Sequence, residues 1–299
     1  MLVKGNRLLS VSNSEIINGT IIIPENIEII EDNAFVNGTN LISIDIPKSI
    51  KAIGKGAFMG CLNLRSISIS SNVTEIGKEC FSKCKSLEFA TIDANIVKLP
   101  NKIFEDCINL KEVKLSNSIK TLGEASFNGC KSLSLINLPN NLLLIDKGCF
   151  YNCVNLIHID LPASINFLES SCFSKSGLVT FDIPKQVTKL PFGVFQDCRS
   201  LKQVKFNGQF KALGDNVFNG CISLKEINLP NSLESMGASS FSNCVKLMKI
   251  VLPQKIHTIN TYTFSNCKNL QNIEMLGIIK EISSYAFDSC KSLSSINLG

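Results

Sequence analysis

Cysteine and histidine are the residues of this sequence with the clearest capacity for chemistry. The 299 residues include thirteen cysteines and two histidines. Both side chains can bind zinc, and structural zinc sites usually combine two closely spaced pairs of such ligands. The close cysteine pairs are Cys80/Cys84 and Cys149/Cys153, and one member of each pair belongs to a regular series described below. The spacing therefore gives only weak support to a metal site.

The histidines do not suggest a catalytic pair. His158 and His257 are 99 residues apart, and in the repeat described below they fall in different columns, about four coils apart. The sequence contains no phosphate-binding, dinucleotide-binding, zinc-protease or nucleophile-elbow motif. We therefore predict a protein that is not an enzyme and that has no catalytic residues, metal site or cofactor.

One phenylalanine recurs along the sequence. Ten of the eleven intervals in its series are 23 residues long, and the interval from Phe173 to Phe195 is 22. The series is Phe35, Phe58, Phe81, Phe104, Phe127, Phe150, Phe173, Phe195, Phe218, Phe241, Phe264 and Phe287. A fixed period of this length is typical of solenoids, in which similar units stack on one another. The series predicts one repeat solenoid of about twelve coils.

Each coil contains the same succession of short elements. In the coil around Phe58, the segment Leu64–Ile69 alternates between apolar and polar residues and predicts a strand. Proline follows this segment in six coils and is expected to end the strand, because it has no N–H to donate. A second extended piece, Ile50–Ile53, precedes Ala-Phe-x-x-Cys, whose spacing predicts a single helical or 3₁₀ turn. Strands of neighbouring coils should pair in parallel.

Ten cysteines lie three residues after the recurring phenylalanine. They are Cys61, Cys84, Cys107, Cys130, Cys153, Cys198, Cys221, Cys244, Cys267 and Cys290. Stacked cysteines would have Cα atoms about 4.8 Å apart, yet their parallel Cα–Cβ directions oppose the dihedral angle of a disulfide. The pattern predicts small buried apolar side chains. Occasional disulfides between coils, or a metal site, remain the alternative interpretations.

Composition and charge limit the classes of partner. The net charge is +5 and no run of five or six basic residues occurs, which gives little support to nucleic-acid or membrane-surface binding. The apolar runs have the length of strands, and the first seven residues lack the apolar core of a secretory signal. We expect no nucleic-acid partner and no membrane insertion. A cytoplasmic location, unconventional export and a longer parent chain are the open alternatives.

Two linked motifs resemble those of a known family. The pattern is L-x-x-I-x-I-P followed by x-x-I-G-x-x-A-F-x-x-C, and Gly56–Leu64 reads G-A-F-M-G-C-L-N-L. It resembles the BspA-like leucine-rich repeat from about Asn18 to Gly299. The resemblance implies a right-handed curved solenoid with a parallel β-sheet on its concave face, and short strands and turns elsewhere. It also implies a non-enzymatic adhesion protein or surface antigen, secreted or at the cell surface, that binds extracellular-matrix or cell-surface proteins. An intracellular scaffold of the same fold is the alternative.

The outward positions of the predicted strands supply candidate site residues. By strand alternation, the residue before each isoleucine of L-x-x-I-x-I points out of the core. Most coils have polar residues there, but Phe89, Leu135 and His158 interrupt one column, and Asp160 and Asp182 lie on adjacent coils of the other. Exposed apolar and aromatic residues are candidate hot spots, although isolated ones are common on any surface. We predict that a protein ligand contacts these five residues across coils three to seven.

The ends of the sequence depart from the repeat. Residues 1–20 do not follow the pattern and are expected to form an N-terminal cap, whereas residues 21–299 are predicted to form a single solenoid domain. The sequence stops just after a predicted strand, and solenoids need a polar capping unit. A longer chain, a partner that covers the open end and end-to-end self-association are all compatible with this pattern.

Overall fold

The computed structural model describes residues 1–296. It contains two compact units, Met1–Leu156 and Ile157–Gly299. The predicted end of the last coil includes residues 297–299, which lie outside the described part of the chain. Within residues 1–296, the only helix is a three-residue 3₁₀ helix, η1, at Asn13–Glu15. Short strands and turns make up the rest of the regular structure.

The first unit contains twelve strands. They are β1 (Leu2–Lys4), β2 (Arg7–Ser10), β3 (Ile29–Ile30), β4 (Ala52–Ile53), β5 (Ser66–Ile69), β6 (Glu75–Ile76), β7 (Phe89–Ile92), β8 (Lys98–Leu99), β9 (Glu112–Leu115), β10 (Thr121–Leu122), β11 (Leu135–Asn137) and β12 (Leu144–Ile145). Strands β5, β7, β9 and β11 form a parallel sheet, here called the long-strand sheet. The two-residue strands pair in parallel in two separate ribbons, β3–β4–β6 and β8–β10–β12, and the antiparallel hairpin β1–β2 extends the first of them at β3.

The second unit contains ten strands with the same alternation of long and short. They are β13 (Phe167–Leu168), β14 (Thr180–Ile183), β15 (Lys189–Leu190), β16 (Gln203–Phe206), β17 (Ala212–Leu213), β18 (Ser235–Met236), β19 (Lys249–Leu252), β20 (Thr258–Ile259), β21 (Asn272–Met275) and β22 (Glu281–Ile282). The long strands pair in parallel as β14–β16 and β19–β21. The short strands pair in parallel as β15–β17–β18 and β20–β22. The predicted repeat solenoid is confirmed.

The recurring phenylalanines form the centre of the core in each unit. In the first unit the rings from Phe35 to Phe150 are stacked, with neighbouring centroids between 4.7 and 5.7 Å apart. In the second unit the rings from Phe173 to Phe287 are stacked at 5.4 to 6.0 Å. Aromatic pairs at such distances attract each other beyond the effect of area burial. The regular spacing of phenylalanine therefore fixes the register of each coil on the next.

The turn that carries each phenylalanine is not helical. A 3₁₀-type hydrogen bond joins the Cys61 N–H to the Phe58 carbonyl at 3.2 Å, as the spacing predicted. However, Gly56 and Gly60 have left-handed φ angles of +58° and +72°, which a right-handed helix excludes. Every other coil has left-handed residues at the same two positions. This conformation turns alternate N–H groups towards the next coil, so that the Phe58 N–H donates to the Cys80 carbonyl at 2.9 Å.

Each cysteine of the column completes this network of turns. The Cys84 thiol donates to the Phe58 carbonyl, one coil earlier, at 3.1 Å, and all ten thiols make the equivalent bond at 3.0–3.2 Å. In the described chain none of the thirteen cysteines forms a disulfide. The predicted small buried side chains are found, with Cys290 partly exposed. Their S–H groups satisfy a second lone pair on a carbonyl that already accepts an N–H.

Proline after the strand motif accompanies gaps in the pairing of the long strands. In four coils without proline at this position, the N–H of the residue there donates to the previous coil, as from Ser116 to the Ile92 carbonyl at 2.8 Å. Proline cannot make this bond. Six coils have proline directly after the strand motif. In two of them the strands β14 and β19 have their full length, and in a third the strand β11 is shortened. Within the described chain, the three remaining segments, 43–46, 158–161 and 226–229, form no strand. The prediction of a strand in each of these three coils is therefore wrong.

Candidate protein-binding surfaces

The first unit exposes an apolar pair on its long-strand sheet. Phe89 begins β7 and Leu135 begins β11, and both are in register with Glu112 of β9. Strand alternation directs their neighbours Ala90 and Ile136 into the core, while Phe89 and Leu135 remain 49% and 50% exposed. The surface formed by Phe89, Glu112 and Leu135 is here called the apolar strand surface.

The charged residues next to this surface are largely paired with each other. The ammonium group of Lys111 lies 2.5 Å from a Glu88 carboxylate oxygen and 6.0 Å from the centroid of the Phe89 ring. The hydrogen bond and positive charge of Lys111 lower the pKa of Glu88. Lys114 lies 3.8 Å from Glu112. Because these charges compensate each other, the exposed rings and methyl groups are the distinctive feature of the surface.

The second unit contains the three polar candidates. The His158 Nε2 and Asp160 Oδ1 atoms are 2.8 Å apart, and both side chains are exposed. Asp182 begins the second half of β14 and is in register with Lys205 of β16. The coils of His158 and Asp182 are neighbours, since the Val179 N–H donates to the Ile157 carbonyl at 3.1 Å. Within residues 157–296, no hydrogen bond or ion pair joins Asp182 to His158 or Asp160. Among these three candidates, the direct polar contact within residues 157–296 is that of His158 with Asp160.

A groove in the second unit was missed by the sequence analysis. It has a volume of about 410 Å³ and lies where segment 226–229 fails to pair with β16. Lys202, Lys225, Lys246 and Glu226 line it, above the buried side chains of Val204 and Ile227. Residues 185–255 include ten Lys or Arg and only four Asp or Glu. A charge count over a window of several coils would have found this excess, which a search for consecutive basic residues does not detect.

The thiols and histidines show no arrangement suited to catalysis. Burial raises the pKa of Cys149, Cys198 and Cys244 to about 12, so these thiols are neutral at physiological pH and are weak nucleophiles. His257 Nδ1 lies 3.0 Å from the Ile278 carbonyl. In the described part of the chain, no three His, Cys, Asp or Glu side chains are placed to hold a metal ion. Over the same residues, no helix has the length and apolar character needed to cross a bilayer.

Comparison with known proteins identifies relatives of this fold. The family model of the BspA type leucine rich repeat region matches residues 12–107, 85–202 and 191–299. A leucine-rich repeat protein from Bacteroides ovatus is 31% identical, with a TM-score of 0.77 over 95% of this chain and 81% of the other. A comparison with curated proteins finds no match.

Two more distant structures share the fold. A leucine rich cell surface protein from Faecalibacterium prausnitzii is 22% identical, with a TM-score of 0.60 over 92% of this chain and 86% of the other. The pneumococcal vaccine antigen PcpA is 20% identical, with a TM-score of 0.53 over 98% of this chain and 89% of the other. At these identities the likeness concerns the fold alone.

Proposed function

Because the chain belongs to the BspA-type leucine-rich repeat family, we propose that it is an adhesion or surface-antigen protein that binds partner proteins through its long-strand sheet. Leucine-rich repeats are a non-catalytic fold whose members typically bind proteins. The fold does not identify a ligand, so the proposal depends on particular residues. The ligand class is an extracellular-matrix or cell-surface protein, as the resemblance to the family suggests.

The apolar strand surface is the observation that carries this proposal. Phe89 and Leu135 flank Glu112 at the same register position of β7 and β11. The strands that hold them are paired with their neighbours, so that little conformational entropy is lost when a partner binds. Large apolar side chains at the centre of an interface commonly provide most of the binding free energy. We therefore assign the two side chains as anchors for a protein ligand.

His158, Asp160 and Asp182 form a separate part of the proposal, because they belong to the second unit. The exposed pair of His158 and Asp160 offers a hydrogen-bond donor and acceptors to a partner. Such exposed polar groups contribute more to specificity and association rate than to affinity. Variants in the two units therefore have different expected effects and are tested independently.

The experiment compares the protein with variants of the apolar strand surface. Immobilised fibronectin, laminin, collagen and fibrinogen would be screened by biolayer interferometry. We expect at least one to bind, and Phe89→Ser with Leu135→Ser to weaken this binding at least tenfold, since hot-spot side chains each contribute about 2 kcal/mol or more. Charge reversal with Asp160→Lys and Asp182→Lys should mainly slow association.

The matched control is Val97→Ser with Leu143→Ser. These residues are also exposed and apolar and lie in the first unit, but they do not belong to the long-strand sheet. The control should bind as the unmodified protein does, and both double variants should keep its melting temperature. If no matrix protein binds, or if the two double variants lose binding equally, the assignment of this surface is wrong.

An intracellular scaffold is the second candidate function, and the free thiols favour it. None of the thirteen cysteines forms a disulfide in the described chain, and proteins exposed to oxidising environments more often contain disulfides. Labelling of intact cells with an impermeant reagent, followed by protease treatment, would distinguish the two locations. A chain that is labelled and cleaved supports adhesion, whereas protection until the cells are lysed supports the scaffold.

A further inference from the structure

The groove of the second unit lies at an interruption in backbone pairing. Strand β16 pairs with β14 and strand β19 pairs with β21, but the intervening segment 226–229 forms no strand. Within residues 157–296, no backbone hydrogen bond links 226–229 to β16. Pro230 follows the segment directly, so the bond that Asn207 makes one coil earlier has no equivalent here. The backbone N–H and C=O groups of β16 and of segment 226–229 that would pair with each other are therefore left without partners from the neighbouring coil.

The side chains around this interruption are mainly basic. Lys202, Lys225 and Lys246 are exposed and line the groove together with one carboxylate, that of Glu226. In the described chain no carboxylate lies within ion-pair distance of their ammonium groups. Lys249, by comparison, lies 3.8 Å from Glu274. With three lysines and one glutamate in its lining, the groove combines a net positive charge with backbone groups that lack a partner in the neighbouring coil.

An apolar contact adjoins the basic residues. The Met248 N–H donates to the Lys225 carbonyl at 3.0 Å, which fixes the two residues next to each other on neighbouring coils. The Met248 side chain is 50% exposed. Methionine adapts its shape to different partners and is common at binding surfaces. A ligand that pairs with Lys225 can thus also cover an exposed apolar side chain.

We propose that this groove binds an acidic, extended segment of a partner protein. Such a segment would cross the coils, so that its carboxylates pair with Lys202, Lys225 and Lys246 while its polar groups bond to the unpaired backbone groups of 226–229. The opposite charge of ligand and groove would accelerate association and exclude basic segments. The site is distinct from the apolar strand surface, and its occupation does not depend on Phe89 or Leu135.

The test uses a fluorescein-labelled decapeptide of alternating glutamate and threonine. Fluorescence anisotropy at 50 mM salt should show saturable binding to the full chain, and none for the matching peptide of lysine and threonine. Lys225→Glu with Lys246→Glu should weaken binding at least tenfold, because each exposed attraction is replaced by a repulsion. Raising the salt to 300 mM should weaken it as well.

A control with the same change in net charge separates the groove from the average field of the protein. Lys78→Glu with Lys85→Glu alters two exposed lysines of the first unit and should leave binding within twofold. Equal losses in the two double variants, or no binding of the acidic peptide to the unmodified protein, would overturn the proposal. Tighter binding of a ten-residue thymidine oligonucleotide, lost in Lys225→Glu/Lys246→Glu, would also overturn it and assign the groove to nucleic acid.

Discussion

The stability of this protein should fall steeply between pH 7 and pH 9, because its core contains a column of buried thiols. Burial raises the pKa of Cys198 and Cys244 to about 12, whereas an unfolded cysteine ionises near 8.5. Above about pH 8.5 the unfolded chain therefore binds fewer protons than the folded chain. The free energy of unfolding then decreases as the pH rises, and this loss continues until the folded thiols ionise near pH 12.

The size of the effect follows from the number of thiols. At pH 9 each thiol that is protonated only in the folded state lowers the free energy of unfolding by about 0.8 kcal/mol, and at pH 10 by about 2 kcal/mol. The eight column thiols whose pKa values are raised most, which are those other than Cys107 and Cys290, would together account for about 7 kcal/mol at pH 9, which is comparable with the whole stability of a typical domain. Lysine and tyrosine ionise near pH 10 or above, and the α-amino group is common to the protein and to its cysteine variants, so a comparison of the two between pH 7 and 9 isolates the cysteines.

The assay is urea unfolding, followed by far-ultraviolet circular dichroism at pH 7, 8 and 9 in the presence of a phosphine reductant. The matched variant is Cys198→Ser with Cys244→Ser, because Ser176 already occupies this column and lies 3.3 Å from the Cys198 thiol. The variant should lose about 1.7 kcal/mol less than the unmodified protein between pH 7 and pH 9. A free energy of unfolding that stays constant over this interval, or equal losses in both proteins, would refute the reasoning.

Three further predictions concern the scaffold. Phe104→Ala removes a fully buried ring that is stacked on both sides, and it should lower the free energy of unfolding by about 3–5 kcal/mol. Phe89→Ala should lower it by less than about 1 kcal/mol. Equal losses of the two variants in urea unfolding would contradict the core assignment. Pro230→Ser supplies an N–H to the preceding coil and should slow hydrogen exchange of residues 226–229, and unchanged exchange would mean that proline is not the cause of the interruption. Deletion of Met1–Ser10 should lower the melting temperature if, as we propose, residues 1–20 cap the first unit; an unchanged melting temperature would exclude this role.

Hydrophobic periodicity was sufficient to predict the core but not the backbone conformation of the turns. The Phe, Leu and Cys columns were predicted from spacing alone and are almost entirely buried. A spacing of three residues between Phe58 and Cys61 is equally compatible with a helical turn and with successive β-turns. The left-handed positions that decide between them hold residues as different as Gly56, Lys83 and Tyr262. Because glycine is not required there, the sequence carries little signal for this conformation.

The candidate surfaces were predicted to different extents for a similar reason. Strand alternation placed Phe89 and Leu135 on the outside correctly, since β7 and β11 form as expected. The groove around Lys225 was missed because it depends on a hydrogen bond that is absent. Proline was interpreted as ending a strand, whereas Pro230 also removes a bond to the neighbouring coil. A pattern within one coil cannot show this effect, which concerns the pairing between coils.

The stack of phenylalanines and the network of turns are what allow the sheets to be interrupted. In the second unit the short strands β13 and β15, which occupy equivalent positions of successive coils, do not pair with each other. The single repeat of 22 residues lies between them. Nevertheless, the rings of Phe173 and Phe195 are stacked at 6.0 Å, and the Phe173 N–H donates to the Val194 carbonyl at 3.1 Å. Because the core and the turns maintain the register without the sheets, a coil can lose strand pairing without losing its place in the stack. This freedom explains how Pro230 can leave a basic groove at 226–229 within an otherwise regular repeat, and it predicts that Pro230→Ser closes the groove and weakens binding of the acidic peptide while leaving the aromatic stack intact.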